Sequence, residues 1–398
     1  MTRRGNLLAW STLGTVFIGM SVYLILNPTR TGVVPNYRFA ATHWWMSQSM
    51  YPGGTHGFLY APPFAVLFSL FNFLRPEILG EILWRAFGFG LFTLGLWCLG
   101  LILGRYRSME GIASSIPRGL PSSKHSTLSP FLAVAFLATP ASLASLNNGQ
   151  TNLPLSACLV LTALALRDQK WTTAAVFLSF SLILKPIALA PWLLAFAVFP
   201  GVRIPLLAAI PAFALLGCFH SSPSYAGSQW MEFAAKLFHS YTPENLRVSD
   251  IYGAVGKWGC LVPPALEKGT RGLACLVALV WVGQSMRRQG LAGASWALWV
   301  ATALIFTVFN PRAETNSYVL ISPLLAFMAV NSWREVKGGR WKGWILAAAC
   351  VGLMCDGMGK PIYQATDVWF KPLIVILVSP LLFRVPQQWK AGSGTRES

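Results

Sequence analysis

Apolar runs succeed one another along this sequence with little between them: 7–26, 61–74, 79–103, 129–146, 151–167, 172–184, 187–199, 203–220, 270–284, 291–309, 317–332, 343–358 and 366–383. About 20 apolar residues span a bilayer as a helix, and shorter helices cross inside a bundle. In hydrocarbon only helices or closed barrels satisfy their own backbone. Charged residues make up 11% of the 398 and mean hydropathy is +0.53, whereas soluble domains carry about 25% charge. The sequence therefore predicts an all-α, polytopic membrane protein with a single integral-membrane domain over 1–398.

Charge fixes the sides. If all thirteen runs cross, the N-terminal Arg3-Arg4 and the basic loop 104–128 fall on opposite faces. Leaving out 61–74, which opens on Pro62-Pro63 and closes on Arg75-Pro76, removes the conflict. That run is expected to be a buried or interfacial helix, which leaves about twelve crossings with both termini cytoplasmic. The inner segments then hold 18 of the 31 Lys and Arg against 4 of the 13 Asp and Glu, a net +14, and the remainder is +4. This asymmetry is what orientation in a cell membrane requires, so the overall +18 reads as topology. No block of five like charges and no basic helix interleaved with aromatics accompanies it, which argues against nucleic acid.

The first run follows Arg3-Arg4 and ends in "LILNPTRTG" without a small-x-small cleavage pattern, so it is expected to remain as a span. Of the seven cysteines none forms a CxxC pair, and six lie in apolar runs, where Cys acts as a small hydrophobe. No metal site is expected, and no cofactor.

With these sides, polar motifs gather on the outer face: "VVPNYRFAATHWW" with "YPGGTHGFLYAPP", the turn "NNGQTN", the "LKP" break, "SDIYG" and "NPRAETN". Lys185 is the sharpest of them. An ammonium within apolar sequence costs about 2.5–3.5 kcal/mol on insertion scales, and Pro186 breaks the helix beside it. Either the side chain snorkels to the interface or it holds an anion at the outer leaflet. Asn148, Gln150 and Asn152 surround Gly149, a residue suited to a tight turn. The turn does not require Gln150 or Asn152, and carboxamides suit sugar hydroxyls because they donate and accept. Arg312 and Glu314 are either solvated loop charges or a phosphate fork and a proton acceptor. His43 and His56 lack metal-ligand spacing and read as surface polar groups, and the interfacial tryptophans read as anchors.

The order "NYRFAA", "GFLYAPPFAVLF", "NNGQTNLPLSACLVLTALALR", "LILKPIALAPWLLAF" and "NPRAETNSYVLISPLLAF" resembles the integral-membrane glycosyltransferases of family 87. These are GT-C enzymes typified by polyprenol-phosphate-mannose-dependent mannosyltransferases. The resemblance spans about 30–330, leaving extra helices at 341–383 and a basic tail at 384–398. It implies a GT-C-like bundle with outer loops and short interfacial helices. The implied activity moves a mannose-like hexose from a polyprenyl-phosphate donor to a glycolipid or glycan acceptor. In that family the first loop carries an aspartate expected to deprotonate the acceptor; Asn36 stands at the matching place, and a carboxamide takes no proton. Where the family often has Ser-Pro-x-x-Trp-x-His, Asn310 to Asn316 run here with Glu314 in place of Trp and Asn316 in place of His. These departures leave a relocated base, a different acceptor or an inactive relative.

Transfer from a lipid phosphate needs a cation at the departing phosphate, a base at the acceptor hydroxyl and polar groups around the sugar. Lys185 with Arg38 or Arg312 meets the first need. Glu314 meets the second, with Asp250 in reserve. Tyr60, Asn148, Gln150, Asn152 and Asn316 meet the third. A noncatalytic sugar-lipid-binding relative is one alternative. A lipid or solute transporter is the other, although paired broken helices would mark it and one clear Lys-Pro break is read here.

Overall fold

The computed structural model describes residues 3–30, 32–53, 57–113, 129–239, 249–335, 339–354, 360–366 and 369–391. Among them all regular structure is helical. Most of the basic loop 104–128, part of 333–342, the end of the tail, His56, Cys355 and Asp356 lie outside the described residues. The helices are α1 (Arg3–Leu26), α2 (Val34–Trp45), α3 (Pro62–Asn72), α4 (Glu77–Ala113), α5 (Pro130–Asn148), α6 (Asn152–Arg167), α7 (Trp171–Leu184), α8 (Leu189–Val198), α9 (Arg203–Leu216), α10 (Pro223–His239), α11 (Ile251–Lys257), α12 (Pro264–Leu304), α13 (Ser322–Arg334), α14 (Arg340–Gly352), α15 (Lys360–Thr366), α16 (Phe370–Val378) and α17 (Gln387–Ala391). Proline sits in the first turn of α2, α3, α5, α12 and α13, where its missing N–H costs nothing.

Among the described residues four helical runs are long and apolar enough to cross a membrane: Arg4–Leu26, Glu77–Gly104, Pro130–Asn148 and Pro264–Phe309. Pro186–Val198 with Pro200–Leu216, bent by 116°, makes a fifth if taken as one span. These four or five full-length candidates fall short of the expected twelve; the remaining apolar helices, such as α6 and α7, are shorter. The fourth run is not one rod. Arg271 Nε donates to the Phe309 carbonyl at 3.0 Å, across 38 positions that a straight helix would hold about 57 Å apart. The chain doubles back at Gly290, whose φ of 64° and ψ of −158° interrupt the helix. The runs at 270–284 and 291–309 are thus two antiparallel arms.

The arms differ in surroundings. Leu273, Leu276, Val277 and Val280 are exposed, whereas Ala292 to Ala303 are buried without exception. Every residue of α6 but Leu164 is buried, as is α13 from Ser322 to Ser332. The second arm, α6 and α13 form the centre. α1, α9 and the first arm turn Leu7, Ile18, Ile204, Leu215 and their neighbours outward, as a lipid-facing surface requires.

Hydrogen bonds tie the connectors into two poles. At one, Ser129 Oγ donates to Asn6 Oδ1 at 2.6 Å, Arg334 donates to the Leu103 carbonyl, and Trp389 Nε1 donates to Ser295 Oγ at 3.1 Å. Arg167 is buried there, paired with Asp168 at 2.6 Å and lying 5.1 Å over the Trp389 ring. The other pole gathers α2, the α5–α6 turn, the Lys185 break and 310–320. α3 begins and ends at this second pole: Tyr37 bonds to Tyr60 just before it, and the adjacent Arg38 pairs with Glu77 just after it.

Candidate functional site

The site is built around the α5–α6 turn. α5 ends at Gly149 in the left-handed conformation, φ 64°, which glycine adopts without steric cost. The last carbonyls of a helix lack partners within it. Here Arg85 supplies them: Nε donates to Leu146 O at 3.1 Å and Nη2 to Asn147 O at 3.0 Å. Trp84 Nε1 donates to Gly149 O at 2.7 Å, and Val33 N to Asn148 O at 3.0 Å. The turn is held from two sides, so Gln150 and Asn152 project from a fixed frame. A Cβ on Gly149 would lie 2.5 Å from Val34 Cγ2 and 3.2 Å from the Arg85 guanidinium. Gly149→Ala is therefore expected to destabilise by at least about 1–2 kcal/mol from the left-handed backbone alone. Thermal unfolding in detergent followed by tryptophan fluorescence reads this; an unchanged midpoint would show that the turn relaxes freely.

From this turn a directional chain of side chains crosses the pole. Lys185 Nζ donates to Asn152 Oδ1 at 2.7 Å. Asn152 Nδ2 donates to Gln150 Oε1 at 2.6 Å, and Gln150 Nε2 donates to Glu314 Oε2 at 2.7 Å. Its ends fix its sense: an ammonium only donates, and an ionised carboxylate only accepts, so both amides have one consistent orientation. Aligned bonds of this kind polarise one another. Gln150 and Asn152 are buried, at 8% and 0% exposure. Lys185 is held in extended backbone, φ −160°, as a residue before proline prefers. That backbone ends α7 and turns the side chain to Asn152 instead of free water.

Glu314 has a second tether. It precedes the 3-10 turn Thr315–Leu320, its carboxylate accepts the Ser317 N–H, and Ser317 Oγ accepts the Glu314 N–H at 3.1 Å. The carboxylate is therefore aimed from two directions. Asn316, 5% exposed, takes a 2.9 Å bond from Ser145 Oγ on its carbonyl and stands 3.4 Å from Asn152 Nδ2 through Oδ1. Tyr60 OH lies 2.9 Å from Tyr37 OH and accepts from Thr151 Oγ1 at 3.5 Å. Burial pushes the Tyr60 phenol above its ordinary range, which keeps its proton available for donation. Arg312 is half-buried in the same loop, and its charge, with that of Glu314, acts on both Tyr60 and Lys185.

Other sequence-predicted residues stand elsewhere. Arg38 pairs with Glu77 and, at 3.2 Å, with Glu81, so its charge is met by carboxylates, whereas the charge of Arg312 is felt at Lys185. Asp250 caps α11 through Gly253 N at 2.8 Å and pairs with Arg271 Nη2 at 2.7 Å. Burial raises its carboxyl above the ordinary value while these two partners pull it back. It is fully enclosed and serves to hold 249–250 against the Ala313 carbonyl, which Ser249 N reaches at 2.8 Å. Asn36 is exposed on α2, and Asn148 contributes its carbonyl to Val33 N. His43 Nδ1 faces the Phe39 carbonyl at 2.9 Å, on its own helix.

Two buried lysines escaped the sequence reading. Lys236 of α10, 6% exposed, donates to Pro52 O at 2.7 Å, and the charge of Arg312 reaches it. Amphipathic α10 reads as an ordinary surface helix, so nothing marks its lysine. Lys371 of α16, 1% exposed, donates to Thr315 O at 3.0 Å and lies 5.6 Å over the Tyr318 ring. A signal did exist: Lys371-Pro372 repeats the Lys185-Pro186 dipeptide in a second apolar run. Pro372 opens a helix instead of breaking one, so it is no mirror of the first break.

Beside the polar chain lies an apolar groove of about 270 Å³, lined among others by Ala61, Pro63, Ile183, Pro186, Phe233 and Leu237. Tyr60, Lys185 and Lys236 each adjoin one of these residues in sequence. The lining itself is apolar apart from Ser179, and the three polar residues are its neighbours along the chain. In comparison with known proteins, the profile of glycosyltransferase family 87 matches residues 58–266. That stretch includes Tyr60, Gln150, Asn152, Lys185 and Lys236 and stops before 310–316. No curated protein and no solved structure matches the chain.

Proposed function

Because the chain belongs to glycosyltransferase family 87, we propose that it transfers a mannose-like hexose from a polyprenyl-phosphate sugar to a glycolipid or glycan acceptor at the outer leaflet of the cell membrane. On this reading the shorter apolar helices complete a bundle of about twelve crossings, with both termini cytoplasmic. The observation that carries it is the hydrogen-bonded chain in which the Lys185 ammonium connects through Asn152 and Gln150 to Glu314, with an apolar groove lined by Ile183 and Pro186 on either side of Lys185 in sequence.

The chemistry follows from that arrangement. The polyprenyl chain lies along Ile183, Pro186 and Phe233, and its phosphate meets Lys185, Arg312 and Lys236. The donor diester carries one negative charge, and the departing monoester approaches two at neutral pH, since its second pKa is about 6. Fixed cations favour the product-like charge, so they stabilise the transition state more than the ground state. The acceptor oxygen forms its bond to the anomeric carbon as the bond to the phosphate oxygen breaks, and that oxygen keeps the electron pair. Glu314 takes the acceptor proton. Gln150, Asn152, Asn316 and the Tyr60 hydroxyl orient the sugar hydroxyls. In this account Glu314 replaces the carboxylate that Asn36 lacks, from the opposite wall.

The test is reconstitution of the purified chain in liposomes with radiolabelled polyprenyl-phosphate mannose or glucose and extracted glycolipid. Labelled glycolipid, with loss of label from the donor, is the expected result. Donor binding without turnover would identify a noncatalytic relative, and sugar-lipid movement without transfer would identify a transporter.

A further inference from the structure

At the pole opposite the candidate site, a cavity of about 770 Å³ opens between α13, the start of α14 and the chain from Pro380 to Lys390. Four of its lining residues, Arg334, Lys342, Arg384 and Lys390, are cationic, and Glu335 is the one acidic residue among those lining it. Met328, Leu381 and Phe383 add an apolar side, and Phe383 is 48% exposed. Positive charge at this pole follows from orientation alone. Orientation does not require a concavity with an apolar wall.

Two buried amides in the wall point further. Asn331 and Gln388 are 1% and 8% exposed. Asn331 Nδ2 donates to Glu335 Oε1 at 3.3 Å, but Asn331 Oδ1 and Gln388 Oε1 have no hydrogen-bond partner. Buried acceptors in native proteins are normally satisfied. Both residues line the cavity, and the last torsion of Asn and Gln is broad, which suits either carbonyl to a donor placed there. The cavity therefore combines cations for a phosphate, acceptors for hydroxyl hydrogens and an apolar exit.

We infer that this cavity holds the headgroup of an anionic phospholipid from the adjoining leaflet. The phosphate sits among Arg334, Lys342, Arg384 and Lys390. Headgroup hydroxyls donate to Asn331 and Gln388, and the acyl chains leave over Leu381 and Phe383. Basic pockets between membrane helices suit such headgroups. A free phosphate would have no use for the apolar side, which is why the lipid is favoured.

The experiment uses the full chain purified in a neutral detergent and offered phosphatidylglycerol, phosphatidylcholine or soluble glycerol 3-phosphate. Native mass spectrometry and thermal unfolding are the readouts, and neither requires a sugar donor, so failure of the transferase reading leaves them intact. Phosphatidylglycerol is expected to stay bound and to raise the unfolding midpoint, whereas the other two do neither. Arg384→Gln combined with Lys390→Gln, both exposed, should weaken retention roughly tenfold or more while unfolding as the parent does in phosphatidylcholine. Arg334→Gln with Lys342→Gln provides a second pair. Undiminished retention in both pairs, or an equal midpoint shift with glycerol 3-phosphate, would overturn the assignment.

Discussion

Replacing Glu314 by glutamine is expected to lower turnover by about 10²–10⁴-fold, the usual contribution of a positioned general base. The substitution keeps size and shape. Its carbonyl oxygen can still accept the Ser317 N–H that Glu314 receives in the 3-10 turn, so the loop should hold. What disappears is the ability to take a proton, and the bond from Gln150 Nε2 now meets a group carrying donors of its own. Donor KM should change little, because the carboxylate works on the acceptor; a fall confined to kcat separates proton transfer from binding. Radiolabel transfer under donor saturation gives the number. Turnover equal to the parent would reduce Glu314 to a cap for Thr315–Leu320.

Lys185→Met carries the second large effect. Methionine preserves the apolar stem and removes the charge, so Asn152 Oδ1 loses its 2.7 Å donor and the departing phosphate loses a cation. Loss of one fixed electrostatic contact to a developing anion costs about 10²–10³-fold in rate. Both kcat and donor affinity should fall, because the donor already bears a phosphate charge before reaction. The stranded Asn152 acceptor also lowers stability by about 1–3 kcal/mol, so transfer should be measured well below the unfolding midpoint. A variant that unfolds earlier yet transfers at the parent rate would leave Lys185 a structural anchor.

The sequence carried the membrane class plainly, since charge is scarce and the apolar runs are long. It also carried the grouping of polar motifs: Gln150, Asn152, Lys185 and Glu314, read from three separate stretches, meet in one hydrogen-bonded chain. Partner choice was harder to read. Arg38 and Arg312 look alike in sequence, yet Glu77 and Glu81, some forty residues further on, claim Arg38. Asp250 looked available because Arg271, its partner, comes 21 residues later. Counting crossings suffered for a related reason: short helices such as α3 are as apolar as full spans, and only their end-to-end attachments reveal where they lead.

The Lys371 contact has a bearing on where this protein can be cut. Its ammonium is buried and grips the Thr315 carbonyl one residue beyond Glu314, although it belongs to a segment more than a hundred positions downstream of the matched family stretch. A truncation after α13 would retain every motif a reader recognises and still release the turn that aims the carboxylate. The late helices are thus not an appendix but the far jaw of a vice on that turn.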